Sequence, residues 1–175
     1  MTQPTAAETQ AYKVYIKASA DDIFKAVTDP EWTNRYGYTG YTNYDLQPGG
    51  AHSTTPNEEF KKGAEEFGFP CPDVLVSGEV LEVDAPHLLK VSWHFHMDPE
   101  IEAEGPSTLT YEIKEAADGY CSLTLVHEMP THPKTATMVA GTAEHEAEGG
   151  GGGWSWVLSD LKTLLETGTA MTAAA

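Results

Sequence analysis

The sequence predicts an α+β fold in which a C-terminal helix lies across the concave face of a curved antiparallel sheet. Two observations carry this prediction. Residues 88–127 hold three consecutive stretches in which apolar and polar residues alternate, as in an antiparallel meander. Residues 153–166, GWSWVLSDLKTLLE, place their apolar side chains at helical spacing along one face. A helix with one apolar face near the end of a strand-rich chain needs a sheet to pack on.

The first third of the chain predicts a strand, two short helices and a hairpin. Alternation from Tyr12 to Lys17 is typical of a strand. Ser19 is a good N-cap for a helix that ends at Asp29, because a residue before proline is disfavoured in the α region. Residues 31–36 can form another turn or two. Residues 37–55 are predicted to form a hairpin around a QPGG turn.

Four further strands and the long helix follow, which makes about six or seven strands in all. The strands are predicted at Val74–Val83, Leu88–Met97, Leu109–Lys114 and Cys121–His127. The helix should begin near Trp154, because Gly149, Gly150, Gly151, Gly152 and Gly153 come directly before it. Each glycine costs ~1 kcal/mol relative to alanine inside a helix.

We predict one domain over residues 11–167, with disordered tails at 1–10 and 168–175. Residues 56–73 are too long for an ordinary hairpin loop, which indicates a functional lid or a mobile insertion. The five glycines form either a hinge or a flexible surface linker. The hinge hypothesis makes Gly149–Gly153, with Phe67 and Phe69 of the insertion, a gate over the site.

Composition narrows the classes of partner. Ten Lys and Arg residues against 27 Asp and Glu residues give a net charge of -17, which disfavours binding to nucleic acid. No apolar run approaches the length of a membrane span, so we expect no membrane insertion. The first ten residues lack the features of a signal peptide, and the two cysteines carry no motif spacing. We therefore expect a cytoplasmic protein.

No cofactor or metal is predicted. His94 and His96 have the i, i+2 spacing that places two imidazoles on one face of a strand, as in some metal sites. No third ligand is close in sequence, and this face should be the outer one, which favours solvated histidines. The glycine run follows no strand and lacks the GK[ST] ending of a phosphate-binding loop.

Five segments, in this order, resemble a known superfamily: Ile16–Trp32, Asp45–Gly50, Gly78–Trp93, Ser122–Glu128 and Gly153–Glu166. They are similar to the helix-grip, START-like (SRPBCC) domains, and within these to the group named for the activator of Hsp90 ATPase. The resemblance implies the helix-grip fold. It leaves function open, because superfamily members include carriers of lipids and polyketides, cyclases, co-chaperone domains and natural-product resistance proteins.

The inward faces supply the candidate ligand contacts. These are Trp32, Trp93, Phe95, Met97, Tyr111, Leu123, Leu125, His127, Trp154 and Leu158. The competing interpretation is a solid core in which the same side chains simply pack together. Burial would keep His127 neutral, either as a ligand contact or general base, or as a satisfied histidine at a strand end.

Three functions remain open from sequence. The favoured one is binding of a hydrophobic small molecule between sheet and helix, for transport, sensing or resistance by sequestration. The second is an aromatase/cyclase-type enzyme that uses His127 or Tyr111 as acid or base in the same pocket. The third is a co-chaperone-like module that contacts a protein partner and has no cavity.

Overall fold

The structure, a computed structural model, describes residues 8–147 and 151–171, apart from the side chain of residue 145. Within these residues, seven antiparallel strands form one sheet in the order β1-β7-β6-β5-β4-β3-β2. The strands are β1 (Glu8–Ile16), β2 (Tyr41–Tyr44), β3 (Ala51–Thr55), β4 (Val76–Asp84), β5 (Leu88–Phe95), β6 (Ser107–Glu115) and β7 (Cys121–Met129). The predicted α+β fold with a curved antiparallel sheet is confirmed.

Seven α-helices accompany the sheet in the described part of the chain. They are α1 (Ala20–Thr28), α2 (Pro30–Thr33), α3 (Glu58–Phe67), α4 (Pro99–Glu102), α5 (Pro133–Ala140), α6 (Ala143–Ala147) and α7 (Gly153–Thr167). None of them combines the length and the apolarity needed to cross a bilayer.

The two short helices after β1 form as predicted. The side chain of Ser19 accepts a hydrogen bond from the Asp22 N–H at 3.1 Å and so caps α1. Asp29 ends α1 and caps α2, accepting from the Glu31 N–H at 2.9 Å. Ile23, Phe24 and other apolar residues of α1 are buried against the inner face of the sheet.

Residues 56–73, predicted as a lid or mobile insertion, contain the ten-residue helix α3. Asn57 caps its start by accepting from the Phe60 N–H at 2.7 Å, and Gly68 ends it at a φ of 71°. Both capping signals are present in the sequence, but strong charge and two prolines obscured them. Phe67 and Phe69 are 78% and 64% exposed, and their role in a gate remains a prediction.

Helix α7 covers the inner face, beginning one residue before the predicted Trp154. Its apolar stripe behaves as the periodicity predicts: Leu158, Leu161 and Leu164 are buried in the main core cluster. These leucines share the core with residues of α1, β5, β6 and β7, so α7 covers the hydrophobic face of the sheet.

The described glycines before α7 pack closely against α5. Gly153 has a φ of 64°, and a Cβ placed there would collide with the Val139 carbonyl oxygen. Gly153 also donates its N–H to the Tyr38 hydroxyl at 3.2 Å, which supplies a cap that α7 lacks locally. Gly149 and Gly150 lie outside the described residues, so the hinge hypothesis remains a prediction.

Both ends of the predicted domain need correction. Strand β1 starts at Glu8, because residues 8–10 pair with residues 127–129 of β7 and are not part of a tail. At the other end, the Met171 N–H donates to Asp160 at 2.7 Å, which ties down residues 168–171. The other carboxylate oxygen of Asp160 accepts from the Gly37 N–H at 2.8 Å. Asp160 lies off the apolar stripe, yet it is fully buried.

Replacing Gly153 and Gly63 by alanine should have opposite effects on stability. Gly153→Ala should lower the free energy of unfolding by about 2 kcal/mol or more, because a Cβ there meets backbone and sits at a strained φ. Gly63 lies within α3 with open space around it, so Gly63→Ala should raise stability by about 0.5–1 kcal/mol. Urea unfolding measures both. An unchanged midpoint for Gly153→Ala would contradict the close approach.

Candidate functional site

The inner face of the sheet is the candidate site. Its central side chains are completely buried, including Leu123 and Leu125 of β7. Around them, aromatic side chains pack against the same core but are only partly buried: Trp32, Tyr44, Trp93, Tyr111 and Trp154. Leu123, Leu125 and Leu158 therefore belong to a solid core, whereas four of the other predicted contacts pack against that core and are only partly buried.

His127 is completely buried and both of its ring nitrogens are hydrogen-bonded. Trp154 Nε1–H, which can only donate, lies 3.0 Å from His127 Nδ1. His127 Nδ1 must therefore be the acceptor, and the proton of the neutral ring sits on Nε2. Nε2–H then donates to Ser107 Oγ at 2.7 Å, and the Ser107 hydroxyl donates to the Trp93 carbonyl at 3.1 Å.

This relay assigns His127 a structural role, because the ring has no free lone pair with which to act as a base. Burial, with a smaller contribution from His132, lowers the pKa of His127 from its ordinary 6.5 to about 4. The ring is therefore neutral near pH 7. Burial also raises the pKa of Tyr111, so its hydroxyl keeps its proton at neutral pH. His127 has no free base nitrogen in this arrangement, and a catalytic role for Tyr111 remains a prediction.

Trp93 is the centre of a group of rings that we call the aromatic end of the site. Its ring centroid lies 5.1 Å from that of His127, 5.9 Å from Trp154 and 5.9 Å from Phe95. The Trp93–Phe95 pair is stacked and the other two are edge-on, which are favourable geometries. The predicted end of the strand at Met97 needs a correction: β5 ends at Phe95, so alternation no longer sets the direction of the Met97 side chain, and Met97 as a contact remains a prediction.

Tyr44 and Tyr111 form a second group, the phenolic end of the site, which sequence reasoning found only in part. The sequence predicts Tyr111 as a ligand contact, whereas it places Tyr44 only within the predicted hairpin of residues 37–55. Both lie deep enough that burial raises the pKa of each phenol. The neighbouring Tyr36 is buried and donates its hydroxyl to the Ala26 carbonyl at 2.9 Å.

His52 supports the phenolic end and was not singled out from the sequence. It is 4% exposed, stacks on Tyr44 with centroids 5.1 Å apart, and lies 2.6 Å from the Ser92 carbonyl through Nε2. The His52 ring crosses β4 above Gly78, and a Cβ on residue 78 would collide with this ring. Burial lowers the pKa of His52, so Nε2–H of a neutral ring donates to Ser92. In the sequence, the feature that could have indicated this position for His52 was Gly78, a glycine in the middle of a predicted strand.

The remaining predicted residues lie apart from these two groups. The Trp32 ring carries the Arg35 guanidinium 4.7 Å above it and packs at the edge of the core. The His94 and His96 rings are 4.5 Å apart, and His96 contacts Glu102 Oε1 at 2.9 Å. Among the described residues, no group of three His, Cys, Asp or Glu side chains is placed to hold a metal ion.

Two shallow grooves lie on the other side of the sheet. One is lined by residues that include His87 and Lys114, the other by residues that include Lys90 and Val126. These side chains point away from α7, because they alternate with the buried residues of β5, β6 and β7. None of the predicted ligand contacts lines either groove.

The comparisons with known proteins agree with this geometry. Residues 17–166 match the family model described as activator of Hsp90 ATPase homolog 1-like protein. The chain belongs to this family. The match contains α1, α2 and most of the sheet, and it runs through nearly all of α7, so the predicted resemblance is confirmed. No curated protein sequence matches the chain.

Several solved structures share the fold. CalU16 from Micromonospora echinospora has 22% identity and a TM-score of 0.53, with 82% of this chain and 73% of CalU16 covered. An HSP90 activator from Plasmodium falciparum, PFC0360w, has 19% identity and a TM-score of 0.59, covering 90% and 95%. DynU16, from the dynemicin biosynthetic locus, has 19% identity and a TM-score of 0.59, covering 93% and 48%. This chain thus spans about half of DynU16, and these identities support the fold alone.

The buried His127 predicts a loss of stability in acid. The unfolded chain takes up a proton as the pH falls through 6.5, whereas the folded His127 does so only near 4. The free energy of unfolding should therefore fall by about 3 kcal/mol across this window on account of His127.

His127→Gln, which does not titrate, should be less stable near pH 7 and lose less stability between pH 6.5 and 4 than the wild type. Urea unfolding at a series of pH values measures the difference. His87→Gln, at an exposed position, serves as the matched control and should keep the wild-type slope. Equal slopes in wild type and His127→Gln would rule out the buried, neutral histidine as the cause.

Proposed function

We propose that this protein binds an apolar small molecule on the inner face of the sheet, beneath helix α7. One observation carries the proposal: Trp93, Tyr111, Trp154 and Tyr44 pack against the main core and are still only partly buried. Aromatic side chains in this position normally complete a closed core. Here they present apolar surface with a few polar groups, which is the usual make-up of a small-molecule site.

Family membership is consistent with this proposal. The family and its structural neighbours leave room for binding of a ligand or of a protein partner. The contacts we propose for the ligand are Trp93 and Phe95 at the aromatic end and Tyr111 with Tyr44 at the phenolic end. Trp154 would cover the ligand from α7, held in place by its bond to His127.

Binding can be tested with Nile red, an uncharged dye whose emission shifts to the blue in apolar surroundings. The wild type should bind it, and Trp93→Ala should weaken binding at least about fivefold, since a buried aromatic contact is removed. Trp156→Ala is the matched control: Trp156 packs on Tyr38, with centroids 5.0 Å apart, outside the proposed site. Equal affinities for the two variants would place the dye elsewhere, and absence of binding would count against the site.

Natural ligands can be sought directly. Native mass spectrometry of the protein purified from its own host should detect a co-purifying small molecule that Trp93→Ala fails to retain. Retention of the same molecule by Trp93→Ala would contradict the proposed position.

A second candidate function is contact with a protein partner. Phe67 and Phe69 lie at the end of acidic helix α3 with exposed fractions of 78% and 64%, an unusual position for two phenylalanines. PFC0360w, of the same fold, is described as an HSP90 activator. If this chain acts likewise, it should stimulate the ATPase of Hsp90 from its own host. The double variant Phe67→Ser, Phe69→Ser should then lose stimulation, whereas Tyr15→Ser, at another exposed aromatic, should not.

A further inference from the structure

The two ends of the site differ in their free hydrogen-bonding groups. At the aromatic end, the polar atoms of His127 and Trp154 are already bonded to each other and to Ser107. At the phenolic end, the hydroxyls of Tyr44 and Tyr111 have no hydrogen-bond partner among the described residues. A ligand that seeks a polar contact therefore finds it near Tyr44 and Tyr111.

These two hydroxyls are deep and yet not sealed. Burial raises the pKa of both phenols, and the Tyr111 phenol lies close enough to Tyr36 and Tyr44 to influence each of them. The only unpartnered polar side-chain atom that is sealed from solvent in the described residues is His52 Nδ1. The Tyr44 and Tyr111 hydroxyls must therefore touch space that a water-sized group can enter. An unmatched polar group in such a place is stabilised by an incoming partner.

The positions of the charges restrict that partner further. All ten Lys and Arg side chains lie in the described residues, and none is buried. Lys90 is on the outer face of β5, and Lys162 is bonded to the Tyr15 carbonyl and to Glu166. The acidic side chain near the phenolic end is Asp160, fully buried and close enough to act on Tyr36, while burial lowers the pKa of the neighbouring His52 and disfavours its cationic form. An anionic group brought here would lose its hydration without meeting a cation.

We propose that Tyr44 and Tyr111 are the polar recognition groups of the site, and that it takes an uncharged ring compound bearing a hydroxyl or carbonyl group in preference to a carboxylate or phosphate. Each phenol can donate to a carbonyl or accept from a hydroxyl. His52 acts as a positioning residue, because it holds the Tyr44 ring by stacking and is itself held by the Ser92 carbonyl. This inference rests on the proposed function and specifies its ligand.

Three matched probes test it: 2-naphthol, 2-naphthoate and naphthalene, titrated at pH 7.5 and followed by tryptophan fluorescence and by displacement of Nile red. Naphthol should bind about tenfold or more tightly than naphthoate, which is charged at this pH. Tyr44→Phe and Tyr111→Phe should each weaken naphthol roughly fivefold and leave naphthalene unchanged. Tyr41→Phe, the same change on the exposed side of β2, should alter neither.

The outcomes separate the two proposals. If naphthalene and Nile red bind but naphthoate equals naphthol, or the two phenylalanine variants keep full affinity for naphthol, the polar recognition is wrong and the apolar site stands. If none of the probes binds, both proposals fail. Naphthalene binding to each variant confirms that the substitution has left the site folded.

Discussion

The position of α7 depends on one chain of hydrogen bonds that runs from the helix into the sheet. Trp154 donates to His127, His127 to Ser107, and Ser107 to the carbonyl of Trp93. Each donor in this chain has one acceptor, so the loss of any member leaves another polar atom unmatched. The leucine stripe of α7 would tolerate a small slide along the sheet, whereas this chain specifies a single position.

Asp160 fixes the same helix at a second point, where its carboxylate joins the loop at Gly37 to the chain after α7. Between the two anchors, the helix presents leucines to a sealed core. Trp93, Tyr44 and Tyr111 pack at the edge of this core and are only partly buried.

Local periodicity predicted the sheet, α7 and the inward direction of Tyr111 and His127, because alternation and helical spacing depend only on neighbouring residues. The partners of these side chains could not be predicted in the same way. His52 matters because Gly78 and Ser92, on two other strands, let its ring pass and hold it. The burial of Asp160 could not be predicted from its neighbours, because its partners, residues 37 and 171, are contributed by other parts of the chain. Helix α3 was missed although Asn57 and Gly68 marked its ends.

The strand order has a consequence for how the chain is made. Among the strands that the structure describes, β1 pairs with β7 alone, so residues 8–16 find their hydrogen-bonding partners at residues 121–129. A nascent chain would expose the edge of β1 until more than a hundred further residues had been synthesised. Closure of so long a loop is slow, which places this sheet among topologies dominated by non-local contacts. Until residues 121–129 emerge, residues 8–16 of the growing chain lack the strand with which they pair in the folded sheet.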